Sequence, residues 1–152
     1  MMGTSTRTGL GQVYLDANTE ALLRGDRRVS TEHVLLALLH DGGSAPARAL
    51  GVDLTVARRV LEQLDETALA ALGIAPLSPG PVLPGRADDR LPMTPAAKAV
   101  LKGLRAEAGK ERPGPKHILL GLLNRGAPDP AAALLDALDV DRDAVRSRLA
   151  KD

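Results

Sequence analysis

The sequence predicts an all-α fold made of two pseudo-symmetric four-helix repeats joined by a Pro-rich linker. Three observations carry this. The segment Ser30-Thr31-Glu32-His33-Val34-Leu35-Leu36-Ala37-Leu38-Leu39 returns as Gly114-Pro115-Lys116-His117-Ile118-Leu119-Leu120-Gly121-Leu122-Leu123, and an internal repeat decides architecture before any single residue does. Apolar residues recur at helical spacing, whereas the alternating β-branched runs of strands are absent. Tyr14 is the only aromatic ring among 152 residues, so the core must come from Leu, Val, Ile and Ala, and small Ala lets helix axes approach.

The first helix is read from Leu10, Val13, Tyr14, Ala17 and Ala21, which share one helical face, with Gly25 as its stop. Ser30 is a good N-cap for a second helix that runs through the Leu-rich segment to His40, where Gly42-Gly43 ends it. A short helix follows at about Pro46 to Leu50 and is broken by Gly51. Asp53 or Thr55 caps a fourth, with Ala57, Val60, Leu61, Leu64 and Ala68 as its apolar face. The second half restarts at Thr94-Pro95, an N-cap followed by Pro at the first helical position. One helix is expected there, with the stripe Ala97, Val100, Leu101, Leu104 and Ala108, closed by Gly109 and Pro113. Gly114-Pro115 opens the next, to Asn124. Pro130 begins a short one through Leu138, and Asp141 caps the last, which holds Val145 and Leu149. Ala49-Leu50-Gly51-Val52-Asp53 also matches Ala137-Leu138-Asp139-Val140-Asp141, and Arg58 and Leu61 match Arg146 and Leu149. The expected organisation is a flexible segment 1–9, repeat 1 over 10–75, a linker over 76–92 and repeat 2 over 93–152. The linker assignment rests on Pro76, Pro79, Pro81, Pro84 and Pro92 with Gly80 and Gly85, which sustain neither helix nor central strand. Its apolar Leu77, Val82 and Leu83 either pack back across the repeats or stay exposed for a partner.

Composition excludes several function classes. Lys plus Arg is 20 and Asp plus Glu is 19, so no global charge attracts nucleic acid or an anionic membrane. The lack of rings removes the stacking platforms of single-strand binders. Without Cys there is no disulfide, thiolate metal site or thiol nucleophile, which fits a reducing cytosol. No apolar run approaches the roughly 20 residues of a bilayer span, and residues 1–9 lack a secretory apolar stretch. A soluble, cytoplasmic protein is expected. Glu32 sits in a first helical turn, where the helix dipole favours a carboxylate. His33 and His117 occupy matching positions and should do matching structural work at a helix start. Glu32, His33 and His40 suggest a metal only weakly, since the two histidines are seven apart with no third ligand at recognisable spacing, and no Ser–His–acid or Cys–His set can be assembled. Arg27-Arg28 and Arg58-Arg59 read as solvated faces, and Arg24-Gly25-Asp26 as a chance occurrence of the adhesion tripeptide at a helix end.

Thr31-Glu32-His33-Val34-Leu35-Leu36 and Met93-Thr94-Pro95-Ala96-Ala97-Lys98, in this order and within a repeat, resemble the Clp N-terminal (Clp R) domain family. That is the double-repeat module at the front of ClpC- and ClpA-type protein-unfolding ATPases. The resemblance covers about Leu10 to Leu149. It implies a module that does no chemistry and recruits adaptors and substrates. In ClpC-type members each repeat can hold an arginine-phosphorylated side chain through a Thr near the first helix start and the Glu of the Thr-Glu-His motif. The first repeat here keeps Glu32, while the Thr position falls on Arg7 beside Thr6 and Thr8; the second keeps Thr94 but has Lys116 in place of Glu. Lys would repel a guanidinium while still attracting phosphate, so neither repeat has the complete pair and one degenerate site around Glu32 is left. No Gly-x-x-x-x-Gly-Lys-Ser/Thr phosphate loop occurs in the chain.

The expected function is therefore a non-catalytic protein- or peptide-binding module of the Clp proteolysis system, acting as adaptor, competitor or decoy. Its groove is expected around Arg7, Thr8, Glu32, Thr94 and Lys116, with no catalytic residue, cofactor or metal. Partners implied by the resemblance are a Clp ATPase, a Clp peptidase, adaptor or substrate proteins, and phosphoarginine-bearing or cyclic peptides. The alternatives are a structural accessory subunit of a Clp peptidase or ATPase complex, or a small hydrolase using His33 or His117.

Overall fold

Helix signals in the sequence translate directly into elements. The computed structural model describes residues 9–74 and 90–151, and the regular structure among them is α-helical throughout. Helix α1 spans Leu10–Arg24 and ends because Gly25 turns left-handed (φ 74°, ψ 18°), returning its N–H to the carbonyls of Ala21 and Leu22. Helix α2, Thr31–Leu38, starts behind Ser30 in extended conformation; it stops two residues short of the expected His40. Helix α3 is Ala45–Leu50, closed by Gly51 at φ 65°. Helix α4, Leu54–Ala71, is the longest. Ala57 and Leu61 of its expected face are buried, Val60 and Leu64 are half-buried, and Ala68 is exposed. The last turns of α4 thus leave the core, and Leu72 beyond them is 75% exposed.

The second half departs from the expectation in one element. The stripe from Ala97 to Ala108 forms two helices, α5 (Pro95–Lys102) and α6 (Leu104–Ala108), separated by Gly103. Glycine has the largest conformational entropy to lose in a helix and no side chain to pack, so the long helix divides there. Then follow α7 (Pro115–Leu123), α8 (Pro130–Ala137) and α9 (Arg142–Ala150). Two caps read from sequence make their bonds: Thr94 Oγ1 accepts from Ala97 N–H at 3.2 Å, and Asp141 Oδ1 from Ala144 N–H at 3.1 Å; Asp53 precedes α4 without a side-chain cap bond.

The two Leu-rich helices occupy the centre. Leu35 and Leu36 of α2, Ile118, Leu119 and Leu122 of α7, and Leu134 and Leu135 of α8 are fully buried in one continuous cluster. Each such side chain contributes about 1.5–3 kcal/mol through burial. Helix α1 packs on α2; α2 also touches α4, α5, α7 and α8, and α3 touches α7 and α9. The residues just before α5 are held in place as well. Val29 N–H donates to Pro92 O at 2.8 Å and Thr94 N–H to Val29 O at 2.9 Å, while Leu91 N–H donates to Asn18 Oδ1 at 2.8 Å. Of the expected linker 76–92, residues 76–89, with Leu77, Val82 and Leu83, lie outside the described residues. No helix among the described residues is long and apolar enough to cross a membrane.

Candidate functional site

The first turns of α2 and α7 are built alike. Ser30 N–H donates to Nδ1 of His33 at 2.9 Å, and Gly114 N–H donates to Nδ1 of His117 at 2.9 Å. A ring nitrogen that accepts from a backbone N–H carries no proton, so in both rings the proton sits on Nε2. Both histidines are buried. They clamp the residue before the helix onto its third position, which is the matching structural work their spacing predicts.

Beyond the clamp the two starts diverge. Nε2–H of His33 donates to Asp26 Oδ2 at 2.7 Å. Burial raises the Asp26 carboxyl, but the His33 hydrogen bond and the positive charge of Arg24 outweigh this and hold it below its ordinary range. Arg24 also bonds Asp65, so Arg24-Gly25-Asp26 is a structural corner. In the repeated segment Lys110 stands where Asp26 stands in the first. Among the described residues His117 Nε2 accordingly has no hydrogen-bond partner although it is buried; the carboxylate oxygen Glu111 Oε2 is 3.8 Å away.

Glu32 and Lys116 are the other divergent pair. Glu32 lies in the first turn of α2 and its Oε1 is buried with no hydrogen-bond partner among the described residues. An unpartnered buried acceptor costs about 1–3 kcal/mol. Lys116 lies in the first turn of α7, and its Nζ is 3.1 Å from Glu111 Oε2. Thr94 is spent on capping α5, and its backbone joins Val29, three residues before Glu32. Thr94 and Glu32 are thus carried by adjoining segments. Lys116 instead lines a cleft of about 580 Å³ between the start of α7 and the Gly43–Pro46 stretch leading into α3. No hydrogen bond or ion pair among the described residues joins it to Glu32 or Thr94. Arg7 and Thr8 lie outside the described residues.

Two polar clusters went unread in the sequence. Glu20, 1% exposed, receives Arg58 Nε at 3.0 Å and contacts His40 Nε2 at 2.7 Å. Burial raises the Glu20 carboxyl, but hydrogen bonds from His40 and Arg58 and then their charges bring it to about 2. Arg58 is therefore a partner of a buried acid and not simply a solvated charge. The signal was present: Glu20 falls on the face of Val13, Ala17 and Ala21, where a carboxylate needs a cation. The second cluster joins distant helices. Asp129 caps α8, and its Oδ1 takes Thr31 Oγ1 from the start of α2 at 2.7 Å and Ala131 N–H at 2.9 Å, while Oδ2 takes Arg125 Nε at 3.0 Å. Both clusters lock helices together, and neither is arranged around a nucleophile. No group of three or more His, Asp or Glu among the described residues could hold a metal ion.

No family model matches the chain. Curated proteins do. The chain is 30% identical over 144 residues to the chloroplastic chaperone protein ClpC1 of Oryza sativa subsp. japonica, covering 91% of this chain and 14% of that protein. It is 30% identical over 144 residues to the chloroplastic chaperone protein ClpC of Pisum sativum, with the same coverage. It is 31% identical over 144 residues to the ATP-dependent Clp protease ATP-binding subunit ClpA homolog of Guillardia theta, covering 91% of this chain and 16% of that protein. The chain thus spans about a seventh of the length of the curated relatives it matches.

Proposed function

Since this chain is a Clp N-domain-like homologue of the ClpC and ClpA chaperones over 91% of its residues, we propose that it is a non-catalytic docking module of the Clp system. It recognises substrate or adaptor polypeptides and acts as adaptor, competitor or decoy toward a Clp ATPase, in the cytoplasm. The observation that carries this reading is the orphaned Oε1 of Glu32 at the start of α2. A buried carboxylate oxygen without a donor is a seat for a guanidinium or ammonium group. The segment Arg7–Thr8 and Thr94, beside Val29, complete the proposed pocket, and phosphoarginine-bearing or cyclic peptides are its proposed ligands. A hydrolase reading finds less support. Both ring nitrogens of His33 are committed, to Ser30 and Asp26. An accessory subunit clamped on a Clp peptidase has no specific contact surface to recommend it.

Calorimetric titration with free phosphoarginine tests the pocket. Saturable heat with the native chain and its loss in Glu32→Ala are expected. No heat from either protein discards the Glu32 pocket.

A further inference from the structure

The α3/α7 cleft holds a donor set that the proposed Glu32 pocket does not use. We propose that this cleft receives a carboxylate from a peptide partner, held by Lys116 Nζ and His117 Nε2–H, and that Glu111 is the resident carboxylate the partner displaces. The inference rests on reading the chain as a docking module, but not on the Glu32 pocket.

Three observations lead here. His117 Nε2 must carry the ring proton, because Gly114 N–H occupies Nδ1. Its side chain is 4% exposed, and that N–H has no acceptor among the described residues. A buried donor left unpaired is a cost the fold bears at this point, and an arriving acceptor removes it. Second, one oxygen already marks where that acceptor goes. Glu111 Oε2 stands 3.1 Å from Lys116 Nζ and 3.8 Å from His117 Nε2, between the two donors but out of hydrogen-bond reach of the ring. Glu111 is 61% exposed, so its side chain is free to leave for solvent, and a partner's carboxylate can take its place at full bonding distance.

Third, the chain builds a filled version of this seat elsewhere. Where α2 meets α8, the Asp129 carboxylate is buried against Thr31 Oγ1, Ala131 N–H and Arg125 Nε. Where α7 meets α3, Pro115 stands at the repeat position of Thr31, and Ser44 caps α3 by accepting from Ala47 N–H at 3.3 Å. No buried carboxylate fills that junction among the described residues; it is the open cleft of about 580 Å³, lined by Ser44, Pro46, Arg112, Lys116 and His117. Cationic Lys116 and Arg112, an unpaired N–H and the first turn of a nine-residue helix all favour an anion.

The test is fluorescence anisotropy on the full chain with two labelled peptides. One is C-terminally amidated with an internal Glu pair; the other has Gln in its place and a free C-terminal carboxylate. At least one is expected to bind, and the preferred peptide tells a side-chain from a terminal carboxylate. Glu111→Gln should bind about threefold or more tighter, Lys116→Gln more weakly, and Lys116→Glu about tenfold or more weaker, the reach of one charge-assisted contact. Glu32→Ala should bind as the native chain does, which separates this site from the phosphoarginine pocket. In ¹⁵N spectra of His117, saturation should move the Nε2–H signal while Nδ1 keeps its unprotonated signature. Failure of both peptides to bind native chain and Glu111→Gln at millimolar concentration overturns the proposal. So does binding that survives Lys116→Glu in a protein whose circular dichroism shows it folded.

Discussion

The start of α2 and the start of α7 share a backbone device and differ in everything that faces outward from it. In both, the N–H ahead of the helix is held by Nδ1 of a buried histidine. At α2 the far side of the ring meets Asp26 and the next residue is an acid, Glu32; at α7 the far side meets no acceptor and the next residue is Lys116. The orphaned buried group at the first start is a carboxylate oxygen, and at the second it is an N–H donor. The clamp sets the helix in place, while the residues around it set the polarity of the helix start. A repeated sequence segment thus carries two helix starts whose unpaired buried groups are of opposite kind.

The largest expected effect tests whether the two halves are one body. Leu35 and Leu119 hold matching positions in α2 and α7, and each is 0% exposed. Each truncation to Ala should cost about 2–5 kcal/mol. Because both belong to one cluster, urea unfolding followed by far-UV circular dichroism should stay a single transition in both variants. Two separated transitions would mean that the halves hold independent cores, and the comparison would then be between two domains.

Acid separates the halves next. Glu20 has an ordinary carboxyl value of 4.5, lowered to about 2 in the folded chain. A depressed folded value means stability that is present above the unfolded value and lost as pH falls through the folded one. The window is therefore pH 4.5 down to about 2, and Asp26, also lowered, adds to the loss in the same direction. Arg58 is 43% exposed, so screening trims the contribution of Glu20 to about 1–2 kcal/mol. In the second half Glu107 and Asn124 stand where Glu20 and His40 stand, and Asn124 Nδ2 donates to Glu107 Oε1 at 2.7 Å, so a neutral amide takes the place of the imidazole there. Melting temperatures measured down this range should fall for the native chain and fall less for Glu20→Gln. Equal slopes would remove Glu20 as a source of the asymmetry.

What the sequence disclosed and what it withheld divide along the same line. Helix existence, the caps at Ser30, Thr94 and Asp141, and the burial of the Leu-rich helices follow from local pattern, and all are present. The break at Gly103 was missed because the apolar stripe runs unbroken through it from Ala97 to Ala108. The partners of the histidines were half visible: the His33–His117 match shows a shared role, but only packing reveals that Asp26 reaches one ring and that no described acceptor comes within bonding distance of the other. Thr31 and Asp129 lie 98 residues apart, and no spacing rule links them. The α3/α7 cleft belongs to the same class. It exists because two helix starts meet across the molecule, and a linear pattern holds no record of which starts meet.

The smallest effect sharpens the comparison most. Asp26→Ala leaves the buried Nε2–H of His33 unpaired and should cost about 1–3 kcal/mol, the penalty of an unsatisfied buried donor. Glu111→Ala breaks only an exposed contact to Lys116 and should stay within about 0.5 kcal/mol. If the difference between the starts is the presence of that acceptor, the second can be converted into the first. Lys110→Asp places a carboxylate at the position of Asp26 and should stabilise the chain by up to about 1 kcal/mol, read as a raised urea midpoint at unchanged slope. The same substitution should weaken binding of the acidic peptide, because the donor it needs is then taken. A stabilised protein that still binds would show that His117 is not part of the seat. A protein neither stabilised nor weakened in binding would show that the partner of His33 depends on the Arg24 corner around Asp26, which the second half does not reproduce.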